Sequence, residues 1–356
     1  MDDYTVYRLK FKTQLHLGRA TGAAQTGSLG LEKTETYISA DTLFSAICQT
    51  WSTFYDSESL TEFLKRYVED SETLPFMLTS AFPYADNVYF FPKPLTFRGD
   101  EDTSDDSKKN IKKVRFISES VFRRIISNES SDFDKGSLIS GQNVWVSADE
   151  KEQLKNVLIT AEERKHLKQV KDENLYIMTT SNRPRVTIGA QNAGSEIWHV
   201  QTVQFNTNCG LWFAAKFDSD ATKQKVETLL RVLGDNGIGG ERNAGYGQFK
   251  FTPAELDIPT AEDCNQFVTL SPIRPKTPEQ LERLLIGNIA YNLNAKTGWV
   301  GAPGTHKRRK TVHMFSEGSV FNTSDVSIGS LVDLTPENYP HPVYRYGYAW
   351  QIGITM

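Results

Sequence analysis

Residues 234–247 read GDNGIGGERNAGYG, six glycines around one cation, Arg242. Glycines at this density let the backbone adopt positive φ and bring its N–H groups close to phosphate oxygens with no side chain between. The loop therefore points to phosphate-backbone binding through Gly237, Gly239, Gly240, Arg242, Gly245, Tyr246 and Gly247. A bulky residue at Gly239 or Gly240 is expected to weaken such binding without unfolding the chain. A dinucleotide-binding loop must follow a strand and open a helix. Here a helical pattern (Val226, Leu229, Leu230, Leu233) comes first and a strand pattern, QFKF, comes after. No Gly-Lys pair followed by Ser or Thr occurs, so the loop is not a P-loop either. The plainer alternative, a connection with Gly234 as helix C-cap, needs one glycine where six stand.

Charge marks further candidates. Seven bases (Lys108, Lys109, Lys112, Lys113, Arg115, Arg123, Arg124) stand against one acid, Glu119, over residues 107–126, directly after the acidic DEDTSDD, which reads as a mobile loop. His306-Lys307-Arg308-Arg309-Lys310 carries four cations with no acid before Glu317. Adjacent cations repel, and an anionic partner relieves that repulsion, although such runs also occur merely solvated. His16 falls on the cationic side of an alternating segment, where a lone histidine is a proton-transfer group or an exposed contact; contact is the assignment made here. Tyr246, Trp299, Tyr344 and Tyr346 offer rings for base stacking or for the core.

These groups need a scaffold, and periodicity supplies one. Tyr7, Leu9, Phe11, Leu15 and Leu17 alternate with Arg8, Lys10, Lys12, Gln14 and His16, the pattern of a half-buried strand. A helix capped by Ser39 or Asp41 follows, with Leu43, Ile47, Trp51 and Phe54 at helical spacing. A second helix opens at the capping box Ser59 to Glu62. PFMLTSAFPY and NVYFFP flank Ala85-Asp86-Asn87 as a hairpin, and strand patterns recur at 197–205 and 211–217. The order is β-α-β-β-α-β with a large insertion, about 98–196, which is the ferredoxin-like arrangement. Beyond it come a strand (FVTLS), a helix capped by Thr277 with Pro278 in its first turn, and the β-like runs TVHMF and VYRYGYAWQIGI. The expected class is α+β, with two ferredoxin-like (RRM-type) domains, 1–255 and 256–356.

Composition limits the alternatives. The 356 residues exceed one usual core, and 38% apolar content fills two. A net charge of -4 excludes a surface that coats nucleic acid everywhere, so binding must be local. Cys48, Cys209 and Cys264 form no CxxC pair, which gives neither a zinc site nor a disulfide framework. The N-terminal MDDYTVYRLKFK lacks the basic start and apolar stretch of a signal peptide, and no apolar run has a membrane-spanning length. A cytoplasmic protein with no metal and no cofactor is the expectation.

The phrase GIGGERNAGYGQF resembles the signature glycine-rich loop of the RAMP superfamily of CRISPR-associated proteins, placed before the last strand of a ferredoxin-like domain. LHLG followed by ISADTLFSAICQTW, the FFPKP hairpin, the KKVRFIS run, HMFSEGSVF and HPVYRYGYA are similar to the subunit that binds the crRNA 5′ tag in type III-A (Csm) effector complexes. The resemblance implies a non-catalytic, two-domain subunit. It would hold the tag and contact the large polymerase/cyclase subunit and the backbone RAMP subunit, without a membrane. RNA contact is expected at His16, Gly18 and Arg19, at Lys112 and Lys113, and at Lys307, Arg308, Arg309 and Lys310. Residues 182–199, with Arg183 and Arg185, resemble the β-hairpin thumb that RAMP subunits press against guide RNA, or else form an exposed hairpin. Two alternatives remain: a metal-independent CRISPR-processing endoribonuclease of the same superfamily, and the type III-B (Cmr) counterpart.

Overall fold

The computed structural model describes residues 4–18, 31–69, 74–99, 103–131, 133–141, 143–159, 161–166, 171–188, 195–262, 264–302, 305–322, 328–339 and 341–355. Arg19 lies outside them, as do the side chains of Trp299, His306 and Arg308.

The chain opens with the strand Thr5–Phe11, flanked by antiparallel Phe249–Ala254 on one side and Cys209–Phe217 on the other. Cys209–Phe217 pairs in turn with Phe76–Leu78 and Phe82–Ala85. With the helices Ala40–Phe54 and Asp220–Asn236 in the two crossovers, the first unit follows the expected β-α-β-β-α-β order. Both helices cover one face of the sheet. Leu43, Phe44 and Ile47 from the first, and Val226, Leu229, Leu230 and Leu233 from the second, are buried with Tyr7, Leu9, Leu211 and Phe213. Each fully buried side chain of this size contributes about 1.5–3 kcal/mol. Phe54, also at helical spacing, is exposed at the helix end.

The insertion does more than loop out. Phe82–Ala85 turns through Asp86 into Val88–Pro92, and Phe116–Ser118, Val144–Val146 and Ser137–Ile139 extend the sheet to nine strands among the described residues. The polarity switch near residue 105 proves to be helix chemistry. Ser104 caps the helix Asp105–Ile111, with Asp105 and Asp106 in the first turn and Lys108 and Lys109 in the last. Acids at the N-terminus and bases at the C-terminus complement the helix dipole, so the described part of the acidic stretch is ordered. Ser59 is not the cap of its helix, which spans Ser57–Glu69; Asp56, three residues earlier, takes that place, its Oδ1 accepting from Ser59 N–H at 2.6 Å.

The C-terminal region holds a three-stranded sheet, Val320–Asn322, Gln266–Thr269 and Gln351–Ile354, and three two-stranded ladders. Its one α-helix among the described residues is Pro278–Leu284, capped by Thr277 as expected, where a β-α-β-β-α-β order calls for two. The run VYRYGYAWQIGI splits into Tyr344–Tyr348 and Gln351–Ile354 because its halves bury in different places. Tyr346 and Tyr348 join the helix-side core, whereas Trp350, Ile352 and Ile354 pack with Val6, Trp212 and the insertion on the other face.

Candidate nucleic-acid interface

An open groove of about 2280 Å³ runs between the helix Ala40–Phe54, the glycine loop and the C-terminal region. That is more than twice the volume of a usual small-molecule cleft, and it leaves room for a strand of nucleotides. Seven lysines and arginines (Lys33, Lys65, Arg115, Arg242, Lys296, Arg309, Arg345) line it against four carboxylates (Glu35, Asp41, Glu69, Glu241). A chain of net charge -4 thus concentrates a positive surplus in one concave surface, which focuses the field on an anionic ligand.

The glycine loop borders this groove through Gly239, Gly240, Glu241 and Arg242, but its other glycines serve the protein's own packing. Gly237 (φ 82), Gly239 (φ 95) and Gly247 (φ 75) occupy left-handed backbone. A Cβ would lie 2.3 Å from Tyr246 O at Gly237, 2.3 Å from His16 O at Gly239, and 2.0 Å from Ile238 O at Gly247. The loop lies against residues 14–16: Gly240 N–H donates to His16 O at 2.9 Å and Gly247 N–H to Gln14 O at 2.7 Å. Four of the six glycines, Gly234, Gly237, Gly239 and Gly247, are therefore packed against backbone oxygens of the chain itself, and a bulky residue at Gly239 cannot leave the fold intact. Gly245 alone faces open space, and Gly240 meets only the His16 ring, at 2.8 Å. The loop still offers donors. The N–H groups of Gly239, Glu241, Arg242 and Asn243 have no acceptor among the described residues, and Glu241 at φ 58 opens the short turn that carries three of them. Consecutive free N–H groups after a left-handed residue form an anion-binding nest.

His16 departs from its expected place. It is 1% exposed, with Nδ1 2.7 Å from Gln201 O, because the strand ends at Phe11 and the alternation beyond continues without a strand to hold it. Leu15 instead makes a single bridge to Val203 on the long hairpin, and the Gly240 segment covers the His16 ring. Neither an exposed contact nor an open proton-transfer site is present at His16. Tyr246 is likewise buried, its hydroxyl 3.2 Å from Arg185 Nη2 and its ring 5.5 Å from that guanidinium, and Tyr346 is fully buried. Arg183 projects from the Met178–Ile188/Ser195–Phe205 hairpin into solvent. Lys112 and Lys113 are exposed outside the groove. Lys307 donates to Glu337 O at 2.8 Å and Lys310 is exposed, so of that run Arg309 is the described side chain lining the groove. Gly18 lines it too, bridged to Thr34.

The groove floor was not foreseen from the sequence. Asp41, in the first turn of Ala40–Phe54, is fully buried between Lys296, 3.0 Å from Oδ1, and Arg345, bonded to Oδ2. Burial opposes its ionisation, but the two cations outweigh it and hold the carboxyl well below the usual carboxylate range. Ser39, at the N-cap position, spends its hydroxyl on Glu317 (2.9 Å) rather than on the helix. Glu317 also accepts from Ser80 Oγ at 2.5 Å and from Tyr37 OH at 2.9 Å. Burial, then the Glu317 carboxylate, raises the Tyr37 hydroxyl well above its ordinary value, while the Arg115 guanidinium stacks 4.6 Å over the ring. Gly318 lies against Lys93 O, so ISAD, FFPKP, KKVRF and SEGS, scattered in sequence, meet around one carboxylate. These pairings span more than 200 residues, a separation that no local pattern encodes.

A family model described as the RAMP superfamily matches residues 8–250. The chain belongs to the RAMP superfamily. Residues 262–354 of this RAMP protein match the CRISPR Csm4 C-terminal domain. It is 28% identical over 335 residues to the CRISPR system Cms protein Csm4 of Mycobacterium tuberculosis (strain ATCC 25618 / H37Rv), covering 90% of this chain and 91% of that one. To the Csm4 of Thermococcus onnurineus (strain NA1) it is 24% identical, covering 89% and 91%. In fold it is similar to a chain of the Csm3-Csm4 subcomplex of a type III-A CRISPR-Cas interference complex, with TM-score 0.66, 17% identity and coverage of 99% and 100%. A chain of a Csm1-Csm4 cassette in complex with pppApA gives TM-score 0.58 at 17% identity, covering 99% and 98%. Among the described residues of this RAMP protein no helix is long and apolar enough to cross a membrane.

Proposed function

We propose that this RAMP protein is the non-catalytic subunit of a type III-A CRISPR ribonucleoprotein that grips the 5′ tag of the crRNA and joins the large polymerase/cyclase subunit to the backbone RAMP subunit. The observation that carries the reading is the groove. It puts free backbone N–H groups of the glycine loop and a surplus of positive charge on one concave surface long enough for a nucleotide strand. The Csm3-Csm4 and Csm1-Csm4 assemblies supply the two protein partners by likeness of fold and of sequence. The chain acts as two units dividing near residue 255. It acts in the cytoplasm and needs neither metal nor cofactor.

An endoribonuclease reading would require an accessible proton-transfer group. His16, the side chain first suited to that role, is packed beneath Gly240 and bonded to Gln201 O. Labelled repeat RNA incubated with the purified chain decides between the two readings. Binding without cleavage, weakening steeply with salt as counterion release requires, is the expected result. Cleavage that disappears in His16→Ala would favour the nuclease. Absence of binding, both alone and with the large subunit present, would refute the tag-holding role.

A further inference from the structure

Two buried guanidinium nitrogens beside the groove have no hydrogen-bond acceptor among the described residues: Nε of Arg309 and Nε of Arg345. A buried N–H without an acceptor costs about 1–3 kcal/mol, and more on a charged group, so two such atoms in one wall call for an acceptor from outside. The neighbours define its charge. Arg345 is 7% exposed and already gives Nη1 to Asp41 and Nη2 to Thr297 O at 3.0 Å. Lys296 binds the other oxygen of Asp41 and the Ser39 hydroxyl, at 3.0 and 3.1 Å. With Arg309 beside them, three cations share a single carboxylate. Burial, then the nearness of Arg345, lowers the Arg309 pKa, the sign of a cation held where local charge disfavours it. Arg309 N–H donates to Gly298 O at 2.9 Å, which fixes the residue at the end of the Trp299–Ala302/Thr305–Arg308 ladder. The rings of Tyr339 and His341, edge to face at 4.7 Å, line the same groove.

We propose that this corner, Arg309 with Arg345 and Lys296, is a phosphate-binding subsite separate from the glycine loop, and that it takes a phosphodiester of the bound RNA strand. The proposal rests on the RNA-holding role given above and names a second grip for it. The guanidinium fork matches two phosphate oxygens at once, a geometry that lysine cannot reproduce. Adjacent aromatic rings offer a surface for the neighbouring base, which an acidic protein segment would not need. Lys307 and Lys310, the other described cations of the run, do not line the groove and take no part.

The test is binding of a short labelled ribo-oligonucleotide of repeat sequence to the full chain, followed by anisotropy across a salt series. Arg309→Gln is expected to weaken binding on the order of tenfold and to flatten the salt slope by about one phosphate contact, with Lys307→Ala close to the parent. Arg309→Lys should recover only part of the loss. The melting temperature of Arg309→Gln should equal or exceed the parent's, since a repelled cation is removed. Inorganic phosphate and ATP are titrated in parallel. If their binding depends on Arg309 while the oligonucleotide's does not, the corner is a site for free phosphate compounds and the strand assignment is overturned. An oligonucleotide bound equally by parent and Arg309→Gln, with neither small ligand bound there, overturns the subsite but leaves the glycine-loop reading standing. An unchanged oligonucleotide affinity with loss of large-subunit association assigns the corner to an acidic protein segment, which also overturns it. A parent that binds no RNA removes both readings together.

Discussion

Gly239 and Arg309 line the same groove, and the fold uses them in opposite ways. At Gly239 the backbone is strained and pressed against His16 O, so the residue type is dictated from within. Arg309 carries a charge and a donor that the described residues leave unanswered. Both stand in segments that look equally suited to RNA from composition alone. Glycine density reports that some backbone must come close, without saying whose. A cation run likewise reports excess charge, and only burial shows which member faces a ligand. In each segment a minority of residues remains available to a partner: Gly240, Arg242 and the free N–H groups in one, Arg309 in the other.

The contrast breaks first at the glycines. Gly239→Val and Gly247→Val combine a left-handed backbone with a Cβ inside contact distance of a carbonyl oxygen, and each is expected to lose on the order of 4 kcal/mol of stability. Gly245→Ala has the same backbone sign but open space, and should cost only about 1 kcal/mol. Chemical denaturation of the three proteins measures the gap; equal losses would mean that close packing against the carbonyls of His16 and Ile238 is not what selects glycine there.

Asp41→Ala comes next. Removing one partner of a buried, paired charge costs about 3–5 kcal/mol because Lys296 and Arg345 are left uncompensated. The Asp41 pKa is lowered on folding, so its stabilisation is present above the unfolded carboxylate value of about 3.9 and is lost progressively as pH falls from there toward the folded value. Urea midpoints measured from pH 6 down to pH 2 should drop more steeply for the parent than for Asp41→Asn. Parallel curves would remove the ion cluster from the list of stabilising elements.

Gly240→Val separates binding from folding. Its Cβ would press on the His16 ring at 2.8 Å rather than closely on a carbonyl, a smaller conflict than at Gly239. A melting temperature within a few degrees of the parent, with RNA affinity reduced about tenfold, is expected from blocked approach to the nest. Normal affinity would show that the loop serves structure alone. The smallest effect belongs to Lys307→Ala combined with Lys310→Ala. Exposed cations of this kind change stability by less than about 0.5 kcal/mol. RNA affinity should fall far less than for Arg309→Gln.

Local pattern made the first unit legible. Tyr7 and Leu9 alternate, Leu43, Ile47 and Trp51 recur at helical spacing, and each lies where its period places it. Thr277-Pro278 marks a helix start by chemistry confined to four residues. His16 was misread because alternation says which side a residue takes only while a strand lasts, and this strand stops at Phe11. Ser39 was expected to cap and instead reaches Glu317, 278 residues away. The groove floor stayed invisible for the same reason, since Asp41, Lys296 and Arg345 come together only through tertiary contact.

Tyr4 and Trp350 pack ring edge to face at 6.0 Å, and the Tyr4 hydroxyl accepts from Ile258 N–H at 2.8 Å. The start of the strand Thr5–Phe11 is therefore covered by the residue that leads into Gln351–Ile354. Until residue 350 is in place, Val6 and Trp212 on the face opposite the helices lack part of their cover, and the groove lacks Arg345. Such long-range closure is slow, because loop entropy must be overcome before the contact forms. Closing that face of the sheet and completing the groove thus depend on the same C-terminal segment.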